Sequence, residues 1–599
     1  MIAAAALSTT PALAQEWIAS TPGLWNDPAN WSTPDAPNAV GASATILHSI
    51  AGGPITTGGV FTFNAPVTIG SLTIDSGFAG PLFTLAPQQL ILDNGGGADV
   101  FLIADGSLGV DITGPIHLMG RLNSDWGASN GVISGSISGD YGILHDPPFV
   151  SDRLRLWGNN TYTGETRVIN GRLSIETAAG LGAHTAGTTV GEDGVLIMEN
   201  LGTPTITGEH VTLEDGGKIW ARYCTWAEDI TLANSGEIAP WFDDYEVTIS
   251  GKLTGAATFI RGSAQSNVTT QPTFESILFV TNTANDYTDG TVIRSGVLSV
   301  PDDAALGAPA TPITFDIVGF SEGPPALATS ADTTIARTIT LLDDGWLRAD
   351  ANTTGRYANK ISGARNLQIN FEQWTGAVEL AADNDYTGST TVVTGALIVS
   401  NNTGSATGPG PVTVRPGATL AGDGAISGAV TLESAAAIMP GDGAGDLHVG
   451  NLTLASDSLV SVALGGVNPG EFGQIAVTGP GAINITGDLI ADFDETYTPT
   501  VNDEFPILTA AEITGTFATT MLPDGVDIEY TPGSVILRVT SAPQPCPTDF
   551  NADGVTNGAD LGQLLGSWGP NPGPADLTND GVVNGADLGQ LLGSWGPCP

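Results

Sequence analysis

Hydrophobic and polar positions alternate along most of the chain, in short runs separated by turn residues. Between about residues 40 and 540 one phrase recurs: an aliphatic residue, Thr, a second aliphatic residue, and then a turn containing Gly or Asp. Alternation with a period of two residues is typical of β-strands. The phrase occurs at Val67-Thr68-Ile69, Val211-Thr212-Leu213, Ile230-Thr231-Leu232, Val247-Thr248-Ile249, Val412-Thr413-Val414, Val430-Thr431-Leu432 and Leu452-Thr453-Leu454.

The spacing of this phrase predicts a solenoid. Its Thr positions step by 19 and 17 residues (212, 231, 248) and by 18 and 22 residues (413, 431, 453). Strands that restart about every 20 residues indicate coils that pair with one another and stack their inward aliphatic residues into one core. We therefore predict a mainly β fold, an elongated right-handed parallel β-helix, over residues 41–540. A β-propeller or tandem sandwiches are the alternatives, although both would need more regular blocks.

A longer phrase recurs three times in the same region. It reads NNTYTGETRVINGRLSIETAAGLGA from Asn159, ANDYTDGTVIRSGVLSVPDDAALGA from Ala284 and DNDYTGSTTVVTGALIVSNNTGSATG from Asp383. These segments resemble the passenger-associated repeat of autotransporter-type β-helices, and residues 503–517 and 522–539 resemble the closing coils of such passengers. The resemblance implies a β-helical architecture. The matching positions are Tyr162, Tyr287, Tyr386, Gly171, Gly296 and Gly395.

The first 40 residues predict export and a capped end of the stack. Ala12-Leu13-Ala14 is a small-x-small pattern that suits signal peptidase, so residues 1–14 are interpreted as a signal peptide remnant. Residues 15–40 are rich in Trp, Gly, Asn and Pro, and Trp17, Trp25 and Trp31 are predicted to cap the β-stack. Stacking of sugar rings on these indoles is the alternative. No later run approaches the roughly 20 apolar residues of a membrane-spanning helix, so no transmembrane segment is expected.

The net charge of the chain indicates which classes of partner it can bind. It carries 63 acidic and 17 basic residues, a net charge of -46, and no segment concentrates Lys or Arg. Nucleic acid and anionic lipid need a basic footprint and are therefore not expected as partners. Cations are the natural small ligands, and an acidic surface also keeps a large secreted protein soluble.

Two near-copies of one acidic unit follow a Pro-rich linker at residues 541–547: DFNADGVTNGADLGQLLGSWGP from Asp549 and DLTNDGVVNGADLGQLLGSWGP from Asp576. Oxygen-bearing side chains at loop positions 1, 3, 5, 9 and 12, a Gly at position 6 and a carbonyl at position 7 form the pattern that wraps Ca²⁺. Thr578 is a poorer ligand than Asn551 at position 3, so the second of two sites is predicted to be the weaker. The candidate ligands are Asp549, Asn551, Asp553, Val555, Asn557 and Asp560, and Asp576, Thr578, Asp580, Val582, Asn584 and Asp587.

Each loop is followed by a predicted helix with one apolar stripe, and the two stripes are expected to pack against each other. The arrangement over residues 548–599 resembles a type I dockerin module. The resemblance implies Ca²⁺-dependent docking to a cohesin-like or other envelope protein. Gly558-Ala559 and Gly585-Ala586 stand at loop positions 10 and 11, where cellulosomal dockerins commonly carry hydroxyl groups. The stripes are Leu561, Leu564, Leu565 and Trp568, and Leu588, Leu591, Leu592 and Trp595.

The three cysteines divide into a pair and a single residue. Cys546 and Cys598 bracket the two units, and an exported chain can hold a disulfide there. Cys224 is then left as a free, buried thiol.

Signatures of catalysis are sparse. There is no nucleophile elbow, phosphate loop or dinucleotide fingerprint. The six histidines have no metal-ligand spacing and are expected at the surface or in turns. A polysaccharide lyase or glycosidase is the alternative function, with Asp243-Asp244 and Asp343-Asp344 as the nearest carboxylate clusters, although each is interpreted as a turn. We predict a secreted or cell-surface structural and adhesive protein, with polysaccharide as a candidate ligand.

Overall fold

The computed structural model describes most of the chain. The described residues are 14–48, 53, 55–75, 82–105, 110–126, 131–176, 178–199, 202–241, 245–262, 276–318, 324–441, 443–478, 481–541, 546–551, 553–570 and 573–598. The interpretation of residues 1–13 as part of a signal peptide therefore lies outside the described residues.

The chain forms two compact units, Met1–Val412 and Thr413–Pro599, and the strand Val412–Val414 contains the division. The first unit is almost entirely β. Its described 3-10 helices are Pro28–Asn30, Ala178–Leu181 and Asp303–Leu306. Its described strands are Gln15–Glu16, Ser43–Leu47, Gly59–Thr62, Val67–Ile69, Ser71–Asp75, Phe83–Ala86, Leu90–Leu92, Val100–Asp105, Val110–Ile112, Ile116–Leu118, Leu122–Trp126, Gly131–Ile133, Ile137–Gly139, Ile143–His145, Arg153–Leu156, Thr166–Ile175, Thr188–Met198, Thr205–Ile206, Val211–Glu214, Gly217–Ala221, Thr225–Trp226, Ile230–Pro240, Glu246–Ile249, Leu253–Thr254, Ala257–Arg261, Ile277–Val280, Thr291–Ile293, Val297–Val300, Ile313–Phe315, Ala326–Thr329, Thr333–Ile335, Ile339–Leu341, Gly345–Ala349, Thr354–Tyr357, Ile361–Gly363, Leu367–Ile369, Ala377–Leu380, Thr390–Val392 and Ala396–Val399.

Parallel ladders stack the coils of the first unit, so that equivalent residues of successive coils form rows. Leu173, Leu196, Ile219 and Ile238 form one inward row, and each is at most 1% exposed. Neighbouring residues on each strand point to the opposite face, because strand side chains alternate. Each such buried aliphatic side chain contributes about 1.5–3 kcal/mol. The prediction of a mainly β parallel solenoid is confirmed.

The aliphatic-Thr-aliphatic phrase lies in strands as predicted. Thr212 faces Thr231, and Thr231 faces Thr254, so two successive coils differ by 19 and 23 residues. The predicted 17-residue coil step is wrong, because Thr248 faces Thr225 in a different ladder. The same alternating pattern occurs in strands on more than one face of a coil. Its spacing along the sequence therefore mixes steps between coils with steps around a coil.

Each passenger-type repeat ties three coils together through a buried Asn and a buried Tyr. In the second repeat the Asn285 side-chain oxygen accepts the Leu253 N–H at 2.7 Å, and its amide donates to the Ala305 carbonyl at 2.7 Å. The hydroxyls of Tyr287 and Thr291 are hydrogen-bonded at 2.7 Å. The same contacts recur for Asn160, Ile137, Gly180, Tyr162 and Thr166, and for Asn384, Ile361, Ala406, Tyr386 and Thr390.

A glycine packs against the buried tyrosine of each repeat, and it lies C-terminal to the Tyr and Gly positions that define the repeat. Gly182, Gly307 and Gly408 have φ values of 87°, 82° and 62°. A Cβ atom at these positions would lie 2.5, 2.6 and 2.1 Å from the carbonyl oxygen of the tyrosine of the same repeat. Only glycine accommodates both the left-handed backbone and this approach.

The three N-terminal tryptophans are buried and pack on the next coil. Trp17, Trp25 and Trp31 are at most 2% exposed. Trp17 meets Phe61 edge-on at 4.9 Å between ring centroids, and Trp25 stacks on Phe63 at 4.8 Å. Their ring faces are thus covered by protein, which favours packing over stacking with sugar rings. The boundaries of the cap stay a prediction.

The second unit contains further coils, antiparallel strands near residue 540 and two short helices. In its coils Ile438 faces Val460 and Val460 faces Leu489, all in parallel register. Strand Ser534–Val539 then pairs antiparallel with both Glu504–Thr509 and Val526–Tyr530. The described strands are Thr419–Gly422, Ala425–Leu432, Ala437–Pro440, Gly445–Leu454, Leu459–Leu464, Gly473–Val477, Ala482–Ile485, Asp488–Phe493, Glu504–Thr509, Glu512–Gly515, Thr519–Met521, Val526–Tyr530, Ser534–Val539, Val555–Thr556, Gly569–Pro570, Val582–Val583 and Gly596–Pro597.

The two helices, α1 (Gly558–Gly566) and α2 (Gly585–Gly593), belong to the twin units. Two short antiparallel pairs join the copies: Val555–Thr556 with Gly596–Pro597, and Gly569–Pro570 with Val582–Val583. The small core around the helices consists of Leu564, Ala575, Val583 and Leu591. Among the described residues, neither these helices nor any other is long and apolar enough to cross a bilayer.

Candidate functional site

The first acidic loop folds around its own carboxylates. The Asp549 carboxylate accepts the Asp553 N–H at 3.2 Å and the Gly554 N–H at 2.8 Å. Gly554, at loop position 6, has φ 80°, the left-handed conformation that the sharp turn needs. The loop thus has the predicted turn, and its residues at positions 1 and 5 are drawn towards each other.

The end of this loop is also the start of α1. The Asn557 side chain accepts the Ala559 N–H at 2.8 Å. It also accepts the Asp560 N–H, and the Asp560 carboxylate accepts the Asn557 N–H at 2.9 Å, which is a capping box. Asp560 is fully buried and also accepts the Phe550 N–H at 2.8 Å. These backbone donors lower the pKa of Asp560, with the bond from Asn557 as the largest cause. The residue at loop position 12 is therefore a fixed, charged carboxylate.

Three carboxylates converge in this first loop. Oxygens of Asp549, Asp553 and Asp560 all lie within 4.8 Å of one another. Like charges at this separation repel, and a cation between them removes the penalty. The Asn551 and Asn557 side chains add neutral oxygens of the type that Ca²⁺ prefers. The residues of the first loop therefore fit a Ca²⁺ ion, and the ion would supply structural charge balance rather than a reaction.

The second loop has the same turn, but among the described residues only the carboxylates of the first loop converge within 4.8 Å. The Asp576 carboxylate accepts the Asp580 N–H at 3.1 Å and the Gly581 N–H at 2.7 Å, and Gly581 has φ 84°. Thr578 donates its hydroxyl to the Asp587 carboxylate at 2.9 Å. The position-3 side chain is thus engaged with the closing carboxylate, and a backbone bond from Asn584 is the largest cause that lowers the pKa of Asp587. The weaker second site stays a prediction.

A disulfide lies beside the first loop. Cys546 and Cys598 are bonded, with their Cα atoms 5.8 Å apart and a sequence separation of 52. The Cys598 N–H donates to the Gly554 carbonyl at 2.8 Å, so the bridge holds the last residues of the module against the first loop. Cys224 is free and buried, as expected, and burial raises the pKa of its thiol to about 12.

The predicted apolar stripes are only partly buried. Leu564 and Leu591 are fully buried between the copies, and Leu561 and Leu588 are partly buried. The prediction that whole stripes pack together is wrong for their last two positions, because two nine-residue helices offer too little surface to cover them. Each copy therefore presents the same half-exposed pair. These residues are Leu565 and Trp568 at 51% and 50% exposure, and Leu592 and Trp595 at 52% and 49%.

Loop positions 10 and 11 open directly to solvent. Gly558 and Gly585 are the first residues of α1 and α2, and a Cβ atom built on either meets nothing within 4 Å. Ala559 and Ala586 are likewise exposed. A partner that approaches these helix starts would meet backbone and methyl groups and no side-chain hydroxyl.

The carboxylate clusters considered for catalysis do not assemble a site among the described residues. Asp243-Asp244 lies outside them. Asp343 accepts the Ile317 N–H at 2.9 Å, and Asp344 accepts the Asn366 N–H at 2.9 Å, so both tie neighbouring coils as turn residues do. The polysaccharide-degrading alternative stays a prediction.

An open cavity of about 510 Å³ holds three further carboxylates with structural roles. Asp302 caps a 3-10 helix, Asp303 is 3.0 Å from the Arg337 guanidinium, and Asp332 accepts the Thr354 N–H at 2.7 Å. Asp303 and Asp332 thus link neighbouring coils, and Asp302 holds the start of a helix.

The histidines are more buried than expected. His48 and His145 are at most 4% exposed, and burial lowers the pKa of His145 to about 4. His184 lies in a left-handed turn and contacts the buried Glu209 carboxylate at 2.6 Å. The expectation of surface or turn positions is thus wrong for His48 and His145, because both side chains are packed inside the coils. The remaining histidines are His117, His210 and His448.

Two comparisons with known proteins found similarities. The passenger-associated-transport-repeat family matches residues 151–175, 276–300 and 375–399, the three segments with the Asn and Tyr ties. A stretch of 92 residues is 44% identical to part of the adhesin BmaC autotransporter of Brucella suis biovar 1 (strain 1330). The stretch amounts to 15% of this chain and 2% of that adhesin. The coils are thus similar to autotransporter passengers, and the protein is secreted or displayed at the cell surface.

Proposed function

We propose that the protein is a cell-surface or secreted adhesive β-solenoid whose residues 548–599 form a Ca²⁺-dependent docking module. The passenger-type repeats and the similarity to a short part of an adhesin support the adhesive role. The rows of buried aliphatic residues support a structural role for the coils. The module would attach this scaffold to a cohesin-like or other envelope protein.

The observation that carries the docking proposal is the equivalence of the two copies. Each copy has an acidic loop whose first carboxylate accepts two backbone N–H groups, a nine-residue helix that starts from the loop, and one half-exposed Leu-Trp pair. Exposed large apolar side chains in polar surroundings are typical of interaction surfaces. Two equivalent surfaces allow one partner to bind in either of two orientations.

Calcium binding is testable by calorimetric titration of the full chain. We expect two binding steps of unequal affinity, because Thr578 is engaged with Asp587 whereas Asn551 stands at the same position of the first loop. Two equal steps would remove the assigned difference between the loops. The absence of any binding step would remove calcium from the proposal.

Docking is testable by measuring retention of the labelled full chain on an envelope preparation from the producing cells. We expect retention with Ca²⁺ and its loss with a chelator. Leu565→Ser or Leu592→Ser alone should keep most of the retention, because the other copy still presents its surface. The double variant should lose it.

Leu342→Ser is the matched control for these variants. Leu342 is 50% exposed and lies in the first unit, far along the sequence from the module. Retention that is independent of Ca²⁺, or equal loss with Leu342→Ser, would contradict docking through the module.

A further inference from the structure

Four arginines from three separate parts of the sequence meet on the outer face of one parallel ladder. Arg153 lies directly opposite Arg172, and Arg155 lies opposite Ser174, in adjacent strands. Arg222 follows the strand Gly217–Ala221, two coils further on. Four of the 17 basic residues of the chain thus gather in one place on a protein with 63 acidic residues. We call Arg153, Arg155, Arg172, Arg222, Trp220 and Trp241 the arginine-tryptophan face.

Indole rings hold three of these guanidinium groups. Arg153 lies 4.6 Å and Arg222 5.8 Å from the ring centroid of Trp241. Arg172 lies 5.3 Å from the centroid of Trp220. A cation over an aromatic ring is held by the ring's charge distribution. Arg153 also donates its Nε–H to the Ser174 hydroxyl at 2.7 Å, and one terminal nitrogen of Arg222 donates to the Tyr245 hydroxyl at 2.6 Å, so the remaining terminal N–H groups of Arg222 are the ones offered to a planar anion.

This face already binds one carboxylate group. The Glu199 carboxylate forms an ion pair with Arg153 and lies 3.4 Å from Arg155. The side chains of Arg153 and Glu199 are each 11% exposed, so the pair is sheltered from bulk water. Glu199 thus shows, within the protein, how a carboxylate seats between guanidinium groups on this face.

Positive charge is crowded here. Burial, followed by repulsion from Arg155, Arg172 and Arg222, lowers the pKa of Arg153. The buried Nε atom of Arg172 and the buried indole N–H of Trp220 have no hydrogen-bond partner among the described residues. These two donors are buried and lie out of reach of a surface ligand, whereas an anion bound beside the guanidinium groups would relieve the repulsion among them.

An open aromatic rim borders the same strand. Trp157 follows Arg155 by two residues and is 42% exposed, and Phe149 is 66% exposed in the preceding loop. Aromatic rings at such positions can stack on the apolar face of a sugar. Guanidinium groups can pair with carboxylates, and an exposed indole beside them can stack on sugar rings. Together they fit a polysaccharide that carries carboxylates.

We propose that the arginine-tryptophan face binds a uronate-bearing polysaccharide, with Arg172 and Arg222 pairing with its carboxylates and Trp157 stacking on its sugar rings. The net charge of -46 opposes long polyanions at a distance, but screening over about 8 Å at physiological salt leaves the local site effective. A uronate chain carries one charge per acidic sugar, which is far less dense than one charge per about 1.7 Å of duplex DNA. The proposal deepens the adhesive role and rests on it, since it names the ligand class of the coils.

The test is titration of polygalacturonate into the full chain in the presence of Ca²⁺. We expect binding to the native protein and at least about tenfold weaker binding for Arg172→Gln/Arg222→Gln, which corresponds to 1.4 kcal/mol or more. These two arginines are chosen because Glu199 pairs with Arg153 and Arg155, so the internal pair is kept. Trp157→Ala should weaken binding by a smaller factor.

Arg121→Gln is the matched control, because Arg121 is a half-exposed arginine paired with Asp99 elsewhere in the first unit. It should bind as the native chain does, and thermal melting should show that every variant is folded. Methyl-esterified polygalacturonate, which lacks the charges, should not bind. Equal binding of the esterified polymer, of a sulfated polysaccharide or of single-stranded DNA would overturn the assignment to uronates.

Binding of polygalacturonate that is unchanged in Arg172→Gln/Arg222→Gln would show Ca²⁺ bridging to the acidic surface and would overturn the site. The readout is distinct from retention on the envelope through the module. Loss of glycan binding with retention intact therefore separates failure of this proposal from failure of the docking proposal.

Discussion

The coils and the terminal module are stabilised in different ways. A coil residue such as Leu196 has equivalent partners in the coils before and after it, here Leu173 and Ile219, and the same arrangement recurs along the first unit. Stability in such repeats is approximately a sum over neighbouring interfaces. The loss of one contact therefore weakens two interfaces and leaves the others in place.

The module has no repeated interfaces of this kind. Its core is four buried residues, Leu564, Ala575, Val583 and Leu591, within about 50 residues, a size at which disulfides or metals usually supplement the core. The disulfide would add roughly 4 kcal/mol on the chain-entropy estimate, and Ca²⁺ at 100 times its dissociation constant about 2.7 kcal/mol. We therefore expect the coils to stay folded as long as their core is intact, and the module to depend on the disulfide and on Ca²⁺.

Removal of both cross-links should have the largest effect. With chelator and reductant together, we expect α1 and α2 to lose amide protection from hydrogen exchange while the coils keep theirs. Either reagent alone should leave the module partly protected, because the other cross-link remains. Full protection of both helices after the double treatment would show that the small core alone keeps the module folded. The module would then not depend on its cross-links.

A single carboxylate should separate the two loops next. Asp560→Asn keeps the shape of the side chain but removes a charge and an acceptor of backbone N–H groups, so we expect loss of the tighter Ca²⁺ step and a lower melting point of the module. Asp587→Asn should abolish only the weaker step. The measurement is calorimetric titration combined with hydrogen exchange of α1 and α2. A larger effect from Asp587→Asn would reverse the order assigned to the two sites.

Much of the structure of the coils and of the first acidic loop could be predicted from local sequence patterns. Alternation of aliphatic residues and Thr predicts strands, and loop positions such as Asp549, Gly554 and Asp560 predict a carboxylate loop, because each pattern is read within a dozen residues. The half-exposure of Leu565 and Trp568 was not predictable, since a helical stripe gives the direction of a side chain but not the area of the surface opposite it.

The arginine-tryptophan face was missed for a different reason. Arg153, Arg172 and Arg222 are 19 and 50 residues apart in sequence, so no segment concentrates basic residues. They become neighbours through register, which depends on loop lengths that change from coil to coil and on the irregularity between Val168 and Asn170. A regular 20-residue period could not have aligned them. The clue in the sequence is the arginine pair at Arg153 and Arg155 on one face of a predicted strand.

Within the coils, loss of an Asn tie should have a smaller and local effect. Asn285→Ala leaves the Leu253 N–H and the Ala305 carbonyl without their partner, at a cost of about 1–3 kcal/mol for each buried group that stays unsatisfied. Hydrogen exchange should accelerate in the coils around residues 253–305 and remain unchanged in α1 and α2. Asn359→Ala is the control, because Asn359 is exposed and donates one bond to the Ala336 carbonyl. Equal effects of the two variants would argue against a special role of the repeat.

The smallest effect is expected from a single buried hydroxyl, and the chain contains its own control. Tyr287→Phe removes the bond to Thr291 and leaves that buried hydroxyl unpaired, at a cost of about 0.5–1.5 kcal/mol. Tyr357 is equally buried, yet its hydroxyl has no hydrogen-bond partner among the described residues. Tyr357→Phe should therefore be neutral or stabilising, since it removes a desolvated polar group that gains nothing in return. Local unfolding free energies from hydrogen exchange would measure both, and if the two variants proved equal, the Tyr-Thr bond would contribute nothing to the stacking of the coils.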